Sequence, residues 1–326
     1  MRSLLEVIGL SRPQPIEQVV AHRYRLLESL GPCGEGERFV AEDDASDQRV
    51  LLLLLPTEYR KRLRPGWERR LDLDCGDPRI LRPLDAGVDE RGQPYLVHRW
   101  VTGEPLTTWR ARLTEDGVPP WSETVELLEE LADMLGPAHE RRLIHGSLEP
   151  SRIFVGRGGP WLLDFGLSHA LGRTTISPAY AAPEVLRGRA PSTLADLYGL
   201  GVVIWELVSG APPFSGSFAE VAAAHRDGLL PELVRRGGAP VELDALLSIA
   251  LARLPDERFS DAHELLETLR GIQASSSGVW SLSSFSTQAG TLAPTTELGA
   301  MLRTFSVIEL RATRALIDEL LAARGE

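Results

Sequence analysis

The sequence predicts an α+β protein of two lobes, a small β-rich lobe followed by a larger helical one. Three observations carry that reading. From Tyr24 to Val101 short apolar runs are broken by Gly, Pro and Asp, the pattern of strands and turns. From Trp121 onward the apolar period becomes helical. After Ile272 the composition shifts to Ser, Thr and Gly, and the domain ends.

Taken in order, residues 1–21 form a leader with Pro13 and Pro15 as breakers. Met1 to Leu10 lacks a small-residue cleavage site and reads as a short helix, not a signal peptide. The small lobe covers about 22–101, with one helical stretch around 58–73. The large lobe covers about 102–271. Its first long helix runs from Glu123 to His139, with Val125, Leu128, Leu131 and Leu135 as a 3.6-residue stripe and Ser122 as the expected N-cap. A β-rich connector from Ile144 to Phe165 leads to helices over 193–209, 217–228, 241–254 and 260–271. Residues 272–297 read as a linker in which Val279, Trp280, Leu282 and Phe285 are unusually apolar. Residues 298–326 form a C-terminal amphipathic helix, with Met301, Phe305, Ile308, Ala312, Leu316 and Leu320 at helical spacing. Docking of that helix on its own domain is the default expectation, and partner binding through 279–326 is the sharper one.

Composition narrows the class. The 326 residues, 43% hydrophobic and 25% charged, suit a soluble globular protein large enough for a two-lobed domain with appendages. A net charge of −11 argues against a nucleic-acid binder, which carries a basic face. The longest apolar run, Val50 to Leu55, is too short to span a bilayer. Cys33 and Cys75 form no paired motif, so a reducing, cytoplasmic location is expected. Lys61 is the only lysine in the chain.

Several stretches fall in a telling order. Leu30-Gly31-Pro32-Cys33-Gly34-Glu35-Gly36 is a glycine-rich loop, and Arg49-Val50-Leu51-Leu52-Leu53 is an apolar strand. His145-Gly146-Ser147-Leu148-Glu149-Pro150-Ser151-Arg152 precedes an intact Asp164-Phe165-Gly166, then Ala182-Pro183-Glu184, Asp196 and Arg258. Over about 22–271 this series resembles Hanks-type Ser/Thr protein kinases, in which the same motifs recur at these separations. The resemblance implies a bilobal protein-kinase-like fold with a nucleotide cleft between the lobes. It places Glu68 near the family's helix-C glutamate. His145, Phe165 and Gly166 take packing and turn roles, and Glu184, Asp196 and Arg258 support the fold of the large lobe. The intact Ala182-Pro183-Glu184, Asp196 and Arg258 favour this branch over small-molecule kinases with H-G-D loops.

Kinase chemistry consists mostly of positioning and charge stabilisation, so each group can be checked. The strand lysine that grips phosphates corresponds to Leu53, and Lys61 lies beyond Pro56, outside the strand. The catalytic aspartate corresponds to Ser147, a very poor base without its own activator. Glu149 replaces a lysine that contacts the transferred phosphate, turning attraction into repulsion. Arg152 replaces the metal-ligating asparagine and offers no acceptor. Of the metal and phosphate groups only Asp164 remains, and Arg152 is expected to sit against its carboxylate where magnesium would bind. Leu51 and Phe154 are larger than the residues usual around adenine, and with Arg38 they are expected to fill the remnant cleft beneath Gly31, Gly34 and Gly36. A surface-pointing Arg38, or one that plugs the pocket, is the plainer reading. Contact with phosphates or with Glu68 is the sharper one.

The expected function is that of a catalytically inactive pseudokinase, a signalling scaffold or allosteric partner with no cofactor. The alternatives are a divergent ATP-dependent Ser/Thr kinase or other phosphoryl or nucleotidyl transferase, and a nucleotide-binding switch without turnover. ATP and magnesium enter only under those alternatives. The expected partner is a protein, such as an active kinase or its substrate. Thr174, Thr175 and Ser177 are candidate phosphorylation positions.

Overall fold

A computed structural model describes residues 16, 18–34, 36–63, 65–113, 118–171 and 177–276. The expected C-terminal helix, most of the leader and the linker, and Thr174 and Thr175 lie outside them.

The small lobe is one antiparallel sheet. Its strands are β1 Val19–Val20, β2 Tyr24–Cys33, β3 Gly36–Asp43, β4 Gln48–Leu54, β5 Pro83–Val88 and β6 Pro94–Arg99. They lie in the order β1-β2-β3-β4-β6-β5. β1 falls within the stretch read as a leader. The apolar run of β4 is continuous because both its faces are covered. Val50, Leu52 and Leu54 pack with Tyr24, Leu26 and Tyr95 on one side. Leu51 and Leu53 face the other lobe. Register sets Arg38 opposite Leu53 and Leu51 opposite His98, so these side chains share the cleft-facing side of the sheet.

The helix expected over 58–73 does not form. Two short 3-10 turns, Thr57–Arg62 and Glu68–Arg70, stand in its place. Pro65 removes a backbone donor, and Gly66 takes a left-handed φ of 71°, so the helical ladder cannot pass. The apolar residues of that stretch still bury. Tyr59, Trp67 and Leu71 join Leu53, Leu55 and Leu96 under the sheet.

A second sheet of β7 Glu104–Pro105, β8 Ile153–Gly156 and β9 Gly159–Leu162 sits at the floor of the cleft. The large lobe holds α1 Leu106–Leu113, α2 Trp121–Glu140, α3 Leu167–Leu171, α4 Pro183–Leu186, α5 Thr193–Ser209, α6 Phe218–Asp227, α7 Leu243–Ala250 and α8 Ala262–Ser276. α2 begins two residues earlier than Ser122 capping would allow. Pro120 is its N-cap, and Ser122 lies inside the helix. α5 is buried nearly throughout. Ser192 caps its start by accepting from the Ala195 N–H, and Gly210, at φ 94°, ends it. Leu128, Leu131 and Leu135 of α2 pack with Leu200, Val203 and Leu207 of α5, forming the large-lobe core. No helix among the described residues is long and apolar enough to cross a membrane.

Candidate functional site

The cleft between the lobes is sealed by side chains from both sides. At its outer part, Leu51 from β4 and Phe154 from β8 are each 0% exposed and cluster with Leu81, Val101 and Leu163. Residues lining a cleft open to a purine would carry accessible area, and these carry none. Each such buried side chain contributes about 1.5–3 kcal/mol relative to exposure, so opening the cleft works against several such terms.

Deeper in, the apolar seal gives way to charge. Asp164 follows β9 and takes a left-handed φ of 63°, a conformation Asp tolerates better than most residues. Its Oδ2 accepts from Arg38 Nη2, which descends from β3, and from Arg152 Nη1 at 2.9 Å. Arg38 Nη2 also lies 3.1 Å from Cys33 Sγ. Cys33, at the end of β2, is tucked 3.8 Å from Asp164 and 3.7 Å from the Ser151 carbonyl. The glycine-rich turn thus rests on the large lobe through Cys33. Gly36 lets β3 and β4 approach closely at this end of the sheet, because a Cβ there would collide with the Leu54 carbonyl.

Electrostatics follow from this packing. Burial alone would raise the Asp164 pKa, but Arg38, Arg152 and His98 outweigh it and hold the carboxyl well below the usual carboxylate range. Burial raises the Cys33 thiol pKa despite the arginines, so the thiol is inert. His98 on β6 is fully buried, with Nδ1 3.8 Å from Asp164 Oδ1. Burial pushes its pKa down to about 4, and the neutral ring has no hydrogen-bond partner among the described residues.

Leu53 lies in one cluster with Leu167, Ala170 and Leu171 of α3, so an apolar contact occupies the place of a lysine. Ser147 is fully buried, and its Oγ has no partner among the described residues, so nothing there activates it. Glu149 accepts from Ser151 Oγ at 2.6 Å and from the Ser177 N–H at 3.0 Å, which ties it into the loop. Gly31 and Gly34 hold positive φ angles in the turn. Glu68 does not take the helix-C role. It is exposed on a single 3-10 turn because its helix is broken at Pro65-Gly66. Arg38 does not point to the surface, being 1% exposed.

The supporting residues form two further networks. Asp196 accepts from the backbone N–H groups of His145 and Gly146, each at 2.8 Å. The His145 ring donates from Nε2 to the Leu163 carbonyl at 3.0 Å and meets Phe165 edge-on, with ring centroids 5.3 Å apart. Gly166 follows with φ 77°, allowing the tight turn, and Leu73 presses against it. Arg258 donates through both terminal nitrogens to Glu184, at 2.8 and 2.7 Å.

The residues present do not fit a magnesium nucleotide. Both oxygens of Asp164 face cations or an imidazole, and no cluster of three His, Cys, Asp or Glu among the described residues is placed to hold a metal ion. His98 and Cys33 were missed by the sequence reading. The signals were present: a lone histidine closing the apolar run Tyr95-Leu96-Val97, and a cysteine inside the glycine-rich loop.

Comparison with known proteins agrees with this architecture. A family model described as protein kinase domain matches residues 68–268. Similar proteins include the serine/threonine-protein kinase PknB of Mycobacterium leprae, 29% identical over 265 residues, covering 76% of this chain and 42% of the relative. PrkC of Bacillus subtilis is 27% identical over 263 residues, covering 76% and 40%. The chain spans about two-fifths of the length of these relatives. Among solved structures, the kinase domain of Mycobacterium tuberculosis PknI is 26% identical with a TM-score of 0.64, covering 79% of this chain and 99% of that domain. Motif order, two-lobed fold and a family match over residues 68–268 of 326 all agree, and the chain belongs to the protein kinase family.

Proposed function

We propose that this chain is a pseudokinase, a protein-kinase domain that works by binding a protein partner rather than by transferring phosphate. One observation carries the reading: Asp164, the last residue of the metal and phosphate constellation, is held by arginines from both lobes. Preorganised charge contacts of the kind missing at Leu53, Ser147 and Arg152 are each worth about 3–4 kcal/mol of transition-state stabilisation. Losing three together removes many orders of magnitude in rate. The retained Glu184–Arg258 and Asp196 networks support a role in which the folded surface, not the cleft, is what matters. The partner is a signalling protein, met in a reducing compartment.

The test is transfer of labelled phosphate from ATP, with magnesium or manganese, to the chain itself and to a general protein acceptor. The expected result is no transfer above that of an Asp164→Ala variant confirmed as folded by circular dichroism. Transfer that this substitution abolishes would establish a divergent kinase instead.

A further inference from the structure

A cavity of about 500 Å³ lies beside the D-F-G turn and outside the sealed cleft. Its volume falls within the range of small-molecule sites, roughly 300–1,000 Å³. Among the described residues, the charged groups on its wall are two arginines, Arg70 and Arg142, with the His169 imidazole beside them. The apolar part of the wall includes Leu73, Ile144 and Pro191, each partly buried.

Two features bear on these arginines. The chain carries a net charge of −11, and many of its arginines are matched to acids: Arg23 to Asp43, Arg79 to Asp77 and Asp133, Arg235 to Asp244. Neither Arg70 nor Arg142 has a side-chain hydrogen bond or ion pair among the described residues. Two unmatched guanidinium groups on one cavity of an acidic protein create a local field that favours an anion. Arg142 is also held in a left-handed conformation, φ 58°, by hydrogen bonds from its own N–H to the His139 carbonyl and from the Leu143 N–H to the Ala138 carbonyl, at 2.8 and 3.0 Å. These bonds form the C-terminal cap of α2 and fix the backbone from which the Arg142 side chain leaves the helix.

We propose that this cavity binds a small amphipathic organic anion, a carboxylate or phosphate monoester bearing an apolar group. The anionic head pairs with Arg70 and Arg142, whose guanidinium forks match carboxylate and phosphate oxygens. The apolar group lies on Leu73, Ile144 and Pro191. The wall also includes Gly166 and Ser168, so a bound ligand touches the turn that carries Asp164. This inference does not depend on whether the cleft is catalytic.

Isothermal titration of the full chain with octanoate and with phenyl phosphate tests it, with benzyl alcohol as the uncharged comparison. The expected result is one saturable site for at least one of the two anions, and the better of them identifies the head group. A double Arg70→Ala, Arg142→Ala variant is expected to weaken binding by about tenfold or more, the scale of losing charge-assisted contacts. Its melting temperature is expected to stay unchanged, because neither side chain is paired. Ala190→Trp, at an exposed wall position, is expected to abolish binding by filling the space, and it decides the matter should the double variant unfold. Absence of saturable binding by both anions, equal binding in the double variant, or equal binding of benzyl alcohol would each overturn the proposal.

Discussion

Arg38 of the small lobe donates through Nη2 to Oδ2 of Asp164 in the large lobe, and both side chains are almost completely buried. The pair ties the lobes together at the point where a kinase would hold its metal. Buried ion pairs contribute little net stability over apolar replacements, but removing one partner leaves an uncompensated charge. Asp164→Asn leaves Arg38 and Arg152 facing a neutral amide. It is expected to destabilise the fold by about 3–5 kcal/mol, or about 10 °C in melting temperature. Thermal and urea unfolding check this. Wild-type stability in the variant would show that the carboxylate is not structural.

Restoring the lysine alone is expected to fail. Leu53→Lys places an ammonium among the buried apolar side chains of Leu167, Ala170, Leu171 and Leu96. The expected outcome is a loss of about 3 kcal/mol or more in urea unfolding, with no gain in nucleotide binding. A variant of unchanged stability that acquires an ATP-dependent thermal shift would mean the cleft opens readily.

The Glu184–Arg258 pair makes a separate claim about the large lobe. Arg258 is 1% exposed, stacks 4.7 Å from the centroid of the Tyr198 ring and also donates to the Ala252 and Leu194 carbonyls. Glu184→Ala removes its counter-charge and is expected to cost about 3–5 kcal/mol. Equilibrium unfolding measures it, and a loss below about 1 kcal/mol would place the pair among ordinary surface ion pairs.

Acid is expected to destabilise the domain well above the usual carboxylate range. Burial pushes His98, His145 and His225 each down to about 4, against 6.5 for a free imidazole. The folded state keeps these rings neutral while the unfolded chain protonates them. Their contribution is therefore full above pH 6.5 and is lost as pH falls towards 4. The Glu206 carboxyl, raised by burial, works in the opposite sense and offsets part of the loss. Unfolding free energy is expected to fall by on the order of 2 kcal/mol per pH unit through this window. A flat profile would mean that the rings are solvated in the native state.

Sequence patterning made the fold legible where one period and one set of caps agreed. The helix read over 193–209 forms over those residues, because Ser192 and Gly210 mark its ends and its apolar residues leave no competing face. The stretch around 58–73 misled for the opposite reason. Tyr59, Leu63, Trp67 and Leu71 recur at a helical spacing of four, and the structure buries Tyr59, Trp67 and Leu71, but Pro65-Gly66 breaks the backbone between them. In the site, the losses at Leu53, Ser147 and Arg152 could be read directly, since each is a change of chemical type at a motif position. The burial of Arg38 could not. Its partner lies 126 residues away, and only the register of β3 against β4 turns it into the cleft. Cys33 and His98 stood out only as a cysteine inside the glycine-rich loop and a histidine closing an apolar run, and the closed arrangement of the lobes gives them their neighbours.

We infer that the side chains filling the cleft exclude a nucleotide. Isothermal titration of the full chain with ATP and magnesium measures this most directly. No saturable heat and no thermal stabilisation are expected at millimolar nucleotide. One-site binding that is lost when magnesium is withheld would contradict it.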